Sequence, residues 1–96
     1  MFARSVCLHL KPHSVTAFTR AMEEEITPLM RRQEGFLDEI AFIIHDGTEA
    51  VRISLWDRRE SAEAYSGGSY IKALETLAHL IEGTPRVQTY EVFNST

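Results

Sequence analysis

The chain has 96 residues, enough for one small domain that buries roughly 60–70% of its unfolded surface. A hydrophobic share of 44% and a charged share of 25% exclude a disordered or fibrous class, and a formal charge of −4 excludes the basic footprint that nucleic acid or an anionic membrane surface requires. A single cysteine cannot close an internal disulfide, no apolar run reaches transmembrane length and no secretion signal is visible, so the expectation is a cytoplasmic protein without nucleic-acid or membrane partner.

In chain order, Phe2 to Leu10 alternates, with Val6, Leu8 and Leu10 on one face and Ser5, Cys7 and His9 on the other, which predicts a strand. Cys7 reads as a small buried hydrophobe within that strand. After Lys11-Pro12-His13, Ser14 is the expected N-cap of a helix with the apolar stripe Phe18, Met22, Ile26 and Leu29. Glu23, Glu24 and Glu25 form its solvated side. Pro28 lacks a backbone N–H and predicts a kink or break, with Gly35 as terminator.

The strongest local signal runs from Gln33 to Asp57. The apolar run Ile40 to Ile44 meets Asp46-Gly47 and is answered by Val51, Ile53 and Leu55, the pattern of a β-hairpin. Alternation puts Val51, Ile53 and Leu55 on one face, read as core. Arg52, Ser54 and Trp56 fall on the other, a mixture suited to a polar-lined apolar pocket.

Asp57 to Tyr65 opens a second helical region, interrupted at Ser66-Gly67-Gly68-Ser69 because glycine costs about 1 kcal/mol in a helix interior. Ser69 caps the next helix, with Ile71, Leu74, Leu77, Ala78 and Ile81 as its stripe and Gly83-Thr84-Pro85 as its end. A final strand follows over Arg86 to Phe93. The closing Asn94-Ser95-Thr96 matches a glycosylation sequon, read as chance without a secretion signal.

This order predicts a single α+β domain over residues 1–96, the ferredoxin-like βαββαβ arrangement with two helices on one face of a four-stranded antiparallel sheet. The uncovered face would hold Cys7, Trp56, Tyr90 and Val92, too apolar for water. A homodimer is therefore expected, its sheets packed face to face around a barrel-like space walled by Arg52, Ser54 and Trp56.

The element order, Glu34-Gly35-Phe36-Leu37 and the stretch Leu55-Trp56-Asp57-Arg58-Arg59-Glu60-Ser61-Ala62-Glu63-Ala64-Tyr65 together resemble the antibiotic-biosynthesis-monooxygenase domain family over nearly the whole chain. The resemblance implies a dimeric α+β barrel and cofactor-independent oxygenation of a planar aromatic or polyketide-like molecule, with haem degradation in one branch. It implies that Trp56 helps form a substrate cavity; packing in the core or the dimer interface is the other reading. Arg52 stands where some relatives carry an amide, and could stabilise an enolate or phenolate or pair with Asp38 or Glu39.

His9 is the candidate general base, or a rim histidine facing water. Ser54, Cys7 and Tyr65 complete the candidate binding wall, and Tyr65 and Tyr70 either gate a cavity or pin a loop. The haem branch uses an Asn on the first strand and a Trp and a His on the second helix, so an axial role would fall to His79. His9, His13, His45 and His79 lack metal-site spacing, and no flavin, nicotinamide or metal motif occurs, so no cofactor is expected. The alternative function is a non-catalytic ligand-binding or interaction dimer.

Overall fold

The structure is a computed structural model that describes residues 1–94, so the sequon at Asn94-Ser95-Thr96 lies partly outside the described residues. Strand β1 (Phe2–Leu10) is followed by helix α1 (Val15–Ala21), a π-helical turn (Met22–Ile26) and helix α2 (Thr27–Arg31). Strands β2 (Phe36–Ile43) and β3 (Glu49–Trp56) form the hairpin. Helices α3 (Arg59–Ser66) and α4 (Ser69–Leu77), a 3₁₀ turn (Ala78–Leu80) and strand β4 (Ile81–Glu91) complete the chain. The four strands pair antiparallel in the order β2-β3-β1-β4, which makes the fold α+β and ferredoxin-like as predicted.

The first helical region does not break at Pro28. The preceding π-helical turn widens the helix, and the Thr27 N–H reaches back five residues to the Met22 carbonyl. Pro28 then sits in the first turn of α2, where its missing N–H removes no bond. The wider turn also advances the buried face: Phe18, Met22, Ile26 and Met30 are buried, where the residue spacing predicts Leu29. Ser14 makes no side-chain cap, since its hydroxyl donates to the Pro12 carbonyl at 3.5 Å.

The predicted break between the later helices is present, with Gly67 and Gly68 separating α3 from α4. Gly83-Thr84-Pro85, predicted to end a helix, instead lies within β4. Register shifts between Cys7 and His9 of β1, so these residues form a bulge, with Gly83 at φ +69. A proline without N–H is tolerated because β4 is an edge strand.

The main correction concerns the two faces of the sheet. Val51, Ile53 and Leu55 are only half-buried, whereas Ala50, Arg52, Ser54 and Trp56 are buried beneath the helices. The register carries this across the sheet: Phe2 lies opposite Trp56, Arg4 opposite Ser54 and Val6 opposite Arg52. Ser5 and Cys7, opposite Ile53 and Val51, share the uncovered face. His9 continues that alternation, so Arg52, Ser54 and Trp56 do not share a face with Cys7 and His9, and Trp56 belongs to the protomer's own core. The physical reason is volume with satisfied polarity. Trp56 fills the space beneath α3, and Arg52 and Ser54 each find a hydrogen-bond partner there.

Candidate functional site

Trp56 is completely buried, its indole N–H donating to Ser54 Oγ at 2.9 Å while the Ser54 hydroxyl donates to the Arg4 carbonyl at 3.3 Å. Phe36 meets it edge-on at 5.6 Å, Tyr65 stacks on it at 5.3 Å, and Tyr70 follows Tyr65 at 5.8 Å. These four rings form a column from the start of β2 to the start of α4. Tyr65 and Tyr70 therefore hold the helix break onto the sheet.

The start of the column is fixed by backbone. Gly35 adopts φ +80 and its carbonyl accepts the Asp57 N–H at 2.8 Å. A Cβ at this position would collide with the side chains of Asp57 and Ser61. This close approach explains the glycine of Glu34-Gly35-Phe36-Leu37 and brings Phe36 to Trp56.

Arg52, 3% exposed, donates from Nη2 to Glu39 Oε2 at 3.0 Å. Burial alone would lower its affinity for the proton, but the Glu39 carboxylate and then Tyr65 outweigh that and leave it raised. Burial pushes the Tyr65 phenol above its ordinary value, with the Arg52 guanidinium pulling the other way. Two buried side-chain atoms lack a hydrogen-bond partner among the described residues, Arg52 Nε and the Tyr65 hydroxyl. Both belong to this cluster.

Beside it, between the α1–α2 helical region and β2, lies a cavity of about 310 Å³. Phe18, Met22, Phe36, Ala41 and Ile43 give its apolar walls, and Glu39 brings the Arg52 ion pair to it. Glu23 and Thr27, within and just after the π-helical turn, also face it. Departures from regular helix of this kind occur often at functional sites.

The sequence-predicted site residues thus divide. Arg52, Ser54, Trp56 and Tyr65 come together under the helices. His9 lies elsewhere, with a 62% exposed side chain 3.8 Å from Glu49, in a more open cleft of about 590 Å³ shared with His13, Asp46 and Glu82. Cys7 is on the uncovered face, its Sγ 3.5 Å from Glu49 Oε1 and 3.9 Å from Arg86 Nη2. His79 is exposed on the 3₁₀ turn. Glu39 was visible in the sequence only as one of two carboxylates that could pair with Arg52. A register shift between Phe36 and Asp38 hides from simple alternation that Glu39 is the one facing the helices.

No family model matches the sequence, and no curated protein matches it. Solved structures do match. The monooxygenase from the gene ActVA-Orf6 of Streptomyces coelicolor, in complex with the ligand nanaomycin D, superposes with a TM-score of 0.83 at 18% identity, over 99% of this chain and 89% of that one. A structure named antibiotic biosynthesis monooxygenase gives 0.75 at 14% identity, over 98% of this chain and all of that one. The fold is that of the antibiotic-biosynthesis-monooxygenase domain. A protein of unknown function from Nitrosomonas europaea shares it, with a TM-score of 0.81 at 19% identity over 99% of this chain and 91% of that one. At such identities the monooxygenase-domain fold is common ground, and the chemistry rests on each chain's own side chains.

Proposed function

We propose that the protein is a cofactor-independent monooxygenase that takes a planar aromatic or polyketide-like molecule into the cavity between the α1–α2 region and β2. The observation that carries this reading is a cavity of about 310 Å³ onto which the half-buried Glu39 opens, with the buried Arg52 guanidinium 3.0 Å behind its carboxylate. Neighbours of the same fold carry monooxygenase names, one of them solved in complex with the ligand nanaomycin D.

In this reading a phenolic substrate with an activated ring CH₂ loses a proton to Glu39, which lines the cavity and whose carboxylate Arg52 positions from behind. The carbanion reduces O₂ and combines with it to a carbon-bound hydroperoxide. Loss of water then leaves a carbonyl, with one oxygen atom in the product and the other in water. The substrate supplies all the electrons. Glu39 takes the base role here because His9, assigned it from sequence, opens onto a different cleft. Trp56, fully enclosed, acts by holding Phe36 and Tyr65 rather than as an exposed wall.

The uncovered sheet face supports a homodimer. Ile40 and Phe42 on β2 are 52% and 49% exposed and lie opposite the half-buried Ile53 and Val51. Tyr90 and Cys7 extend this apolar face toward β4, and a second copy would cover it. Among the described residues no helix is long and apolar enough to cross a membrane, and Cys7, in no disulfide, suits the reducing cytoplasm.

Oxygen uptake with dihydroxyanthracene-type phenols tests the activity. Wild type is expected to consume one O₂ per carbonyl formed, and Glu39→Gln to lose at least about a hundredfold in rate, the usual contribution of general base catalysis. Uptake equal in wild type and Glu39→Gln sinks the proposal. A second reading, a non-catalytic ligand-binding dimer, is favoured by the tight packing of Trp56 and the neutralisation of Arg52 by Glu39. Saturable phenol binding without oxygen uptake would select it.

A further inference from the structure

At the opposite edge of the sheet, beneath α3 and against β4, a second cavity of about 230 Å³ shares no lining residue with the first. Phe2, Ala62 and Val87 give it apolar walls, and the Arg4 side chain lines it. Arg4 is 3% exposed, yet among the described residues no carboxylate lies within ion-pair distance of it. Its guanidinium makes one long hydrogen bond, 3.5 Å from Nη2 to Ser66 Oγ, and lies over the rings of Tyr70 at 4.0 Å and Tyr65 at 5.5 Å.

The aromatic faces offset part of the cost of burying this charge, but they leave most of its five N–H donors unused. A buried cation without a counter-charge is expensive, and proteins ordinarily supply one. Arg52, equally buried on the same face, shows the contrast, since Glu39 lies 3.0 Å away. The other charges around the second cavity do not serve Arg4. Arg59 pairs with Glu91 at 3.5 Å in solvent, and Glu63 is exposed at the rim. One buried guanidinium is left uncommitted, facing an apolar space.

We propose that this cavity binds a small monocarboxylate, with the carboxylate held by the planar fork of Arg4 and an apolar body against Phe2, Ala62 and Val87. A monoanion matches the single uncommitted cation. The apolar walls favour a carboxylate on a hydrocarbon or aryl group over a fully hydrated anion such as phosphate. The site is independent of the monooxygenase reading.

Benzoate is the probe, with benzamide as its neutral counterpart and inorganic phosphate as the competing anion. Each is titrated into the full chain by calorimetry and by amide-resolved NMR. Benzoate is expected to bind saturably at one per chain and to shift the amides of Ser66, Val87 and Thr89 but not that of Ile43 in the first cavity. Benzamide is expected to bind at least about tenfold more weakly, the worth of a charge-assisted hydrogen bond. Arg4→Gln is expected to abolish binding. Thr89→Phe, which fills the cavity from the edge strand and leaves Arg4 in place, is expected to do the same and covers the case in which Arg4→Gln fails to fold. Absence of saturable benzoate binding, equal binding of benzamide, tighter binding of phosphate, or binding that survives Thr89→Phe overturns the proposal.

Discussion

The two faces of the sheet bury different things. Beneath the helices, β1 and β3 present Arg4, Arg52, Ser54 and Trp56, and each of these polar side chains meets at least one partner: Ser54 with Trp56, Arg52 with Glu39, Arg4 with Ser66 and two tyrosine rings. On the other side, Ile40, Phe42, Val51, Ile53 and Leu55 are aliphatic or aromatic throughout and stay partly exposed. Along β3 the more hydrophobic row is thus the outer one, while β1 gives Phe2, Val6, Leu8 and Leu10 to the covered face. What places a strand face inside the protomer is the volume it can fill and the partners its polar atoms meet, not its mean hydropathy.

Removing a partner on the covered face is the most severe way to break this contrast. Arg52→Met leaves the half-buried Glu39 without its cation and removes a buried side chain's hydrogen bond, and is expected to cost about 2–3 kcal/mol in urea unfolding. The double variant Arg52→Met, Glu39→Leu removes both charges and is expected to recover most of that loss. A single-variant loss below about 1 kcal/mol would mean that the pair contributes as little as a surface ion pair.

A milder test addresses the outer face. Ile40→Glu with Phe42→Glu places two carboxylates on half-exposed positions of the edge strand β2 and is expected to cost the fold about 1 kcal/mol or less in total. Its large effect is on assembly. In sedimentation the wild type is expected to run as a dimer and the double variant as a monomer. A wild type that is monomeric at all accessible concentrations removes the dimer from the proposal.

These faces also show what could be read from the chain. The order of elements and the hairpin were legible because they depend on local signals: alternation, Asp46-Gly47, and the glycine pair before Ser69. The choice of face was not, because both sides of β3 contain enough apolar residues to form a core, and the decision rests on Tyr65 and Phe36, distant in sequence or across a bulge. Met30 in place of Leu29 depends on a π-helical turn that no residue pattern announces. Of the candidate site, Arg52, Ser54, Trp56 and Tyr65 were found as residues, but their partner Glu39 was hidden by the same bulge. Arg4 drew no notice although alternation puts it on the face of Val6, Leu8 and Leu10, and the register confirms it opposite Ser54 under the helices.

The smallest expected effect lies at the turn that keeps the faces apart, since a one-residue slip of β2 against β3 would exchange them. The turn is held by the Gly47 N–H to the Ile44 carbonyl at 2.8 Å, with Gly47 at φ +75, and by Asp46, whose Oδ1 accepts from the Thr48 hydroxyl at 2.6 Å and the Thr48 N–H at 3.0 Å. These bonds, the side-chain one foremost, hold the Asp46 carboxyl below its ordinary value. A carboxyl with a folded-state pKa below its unfolded one contributes stability above the unfolded value, and that contribution is lost as pH falls through the folded value. The thermal midpoint of the wild type is therefore expected to exceed that of Asp46→Asn slightly at about pH 7, and the gap to close below about pH 4, where an unfolded aspartate begins to protonate. Because the side chain is fully exposed, the gap should also narrow in high salt. A difference between the two that is constant from about pH 7 to about pH 3 would show that the amide of the Asp46→Asn variant holds the turn by the same hydrogen bonds and that the charge adds nothing to the register.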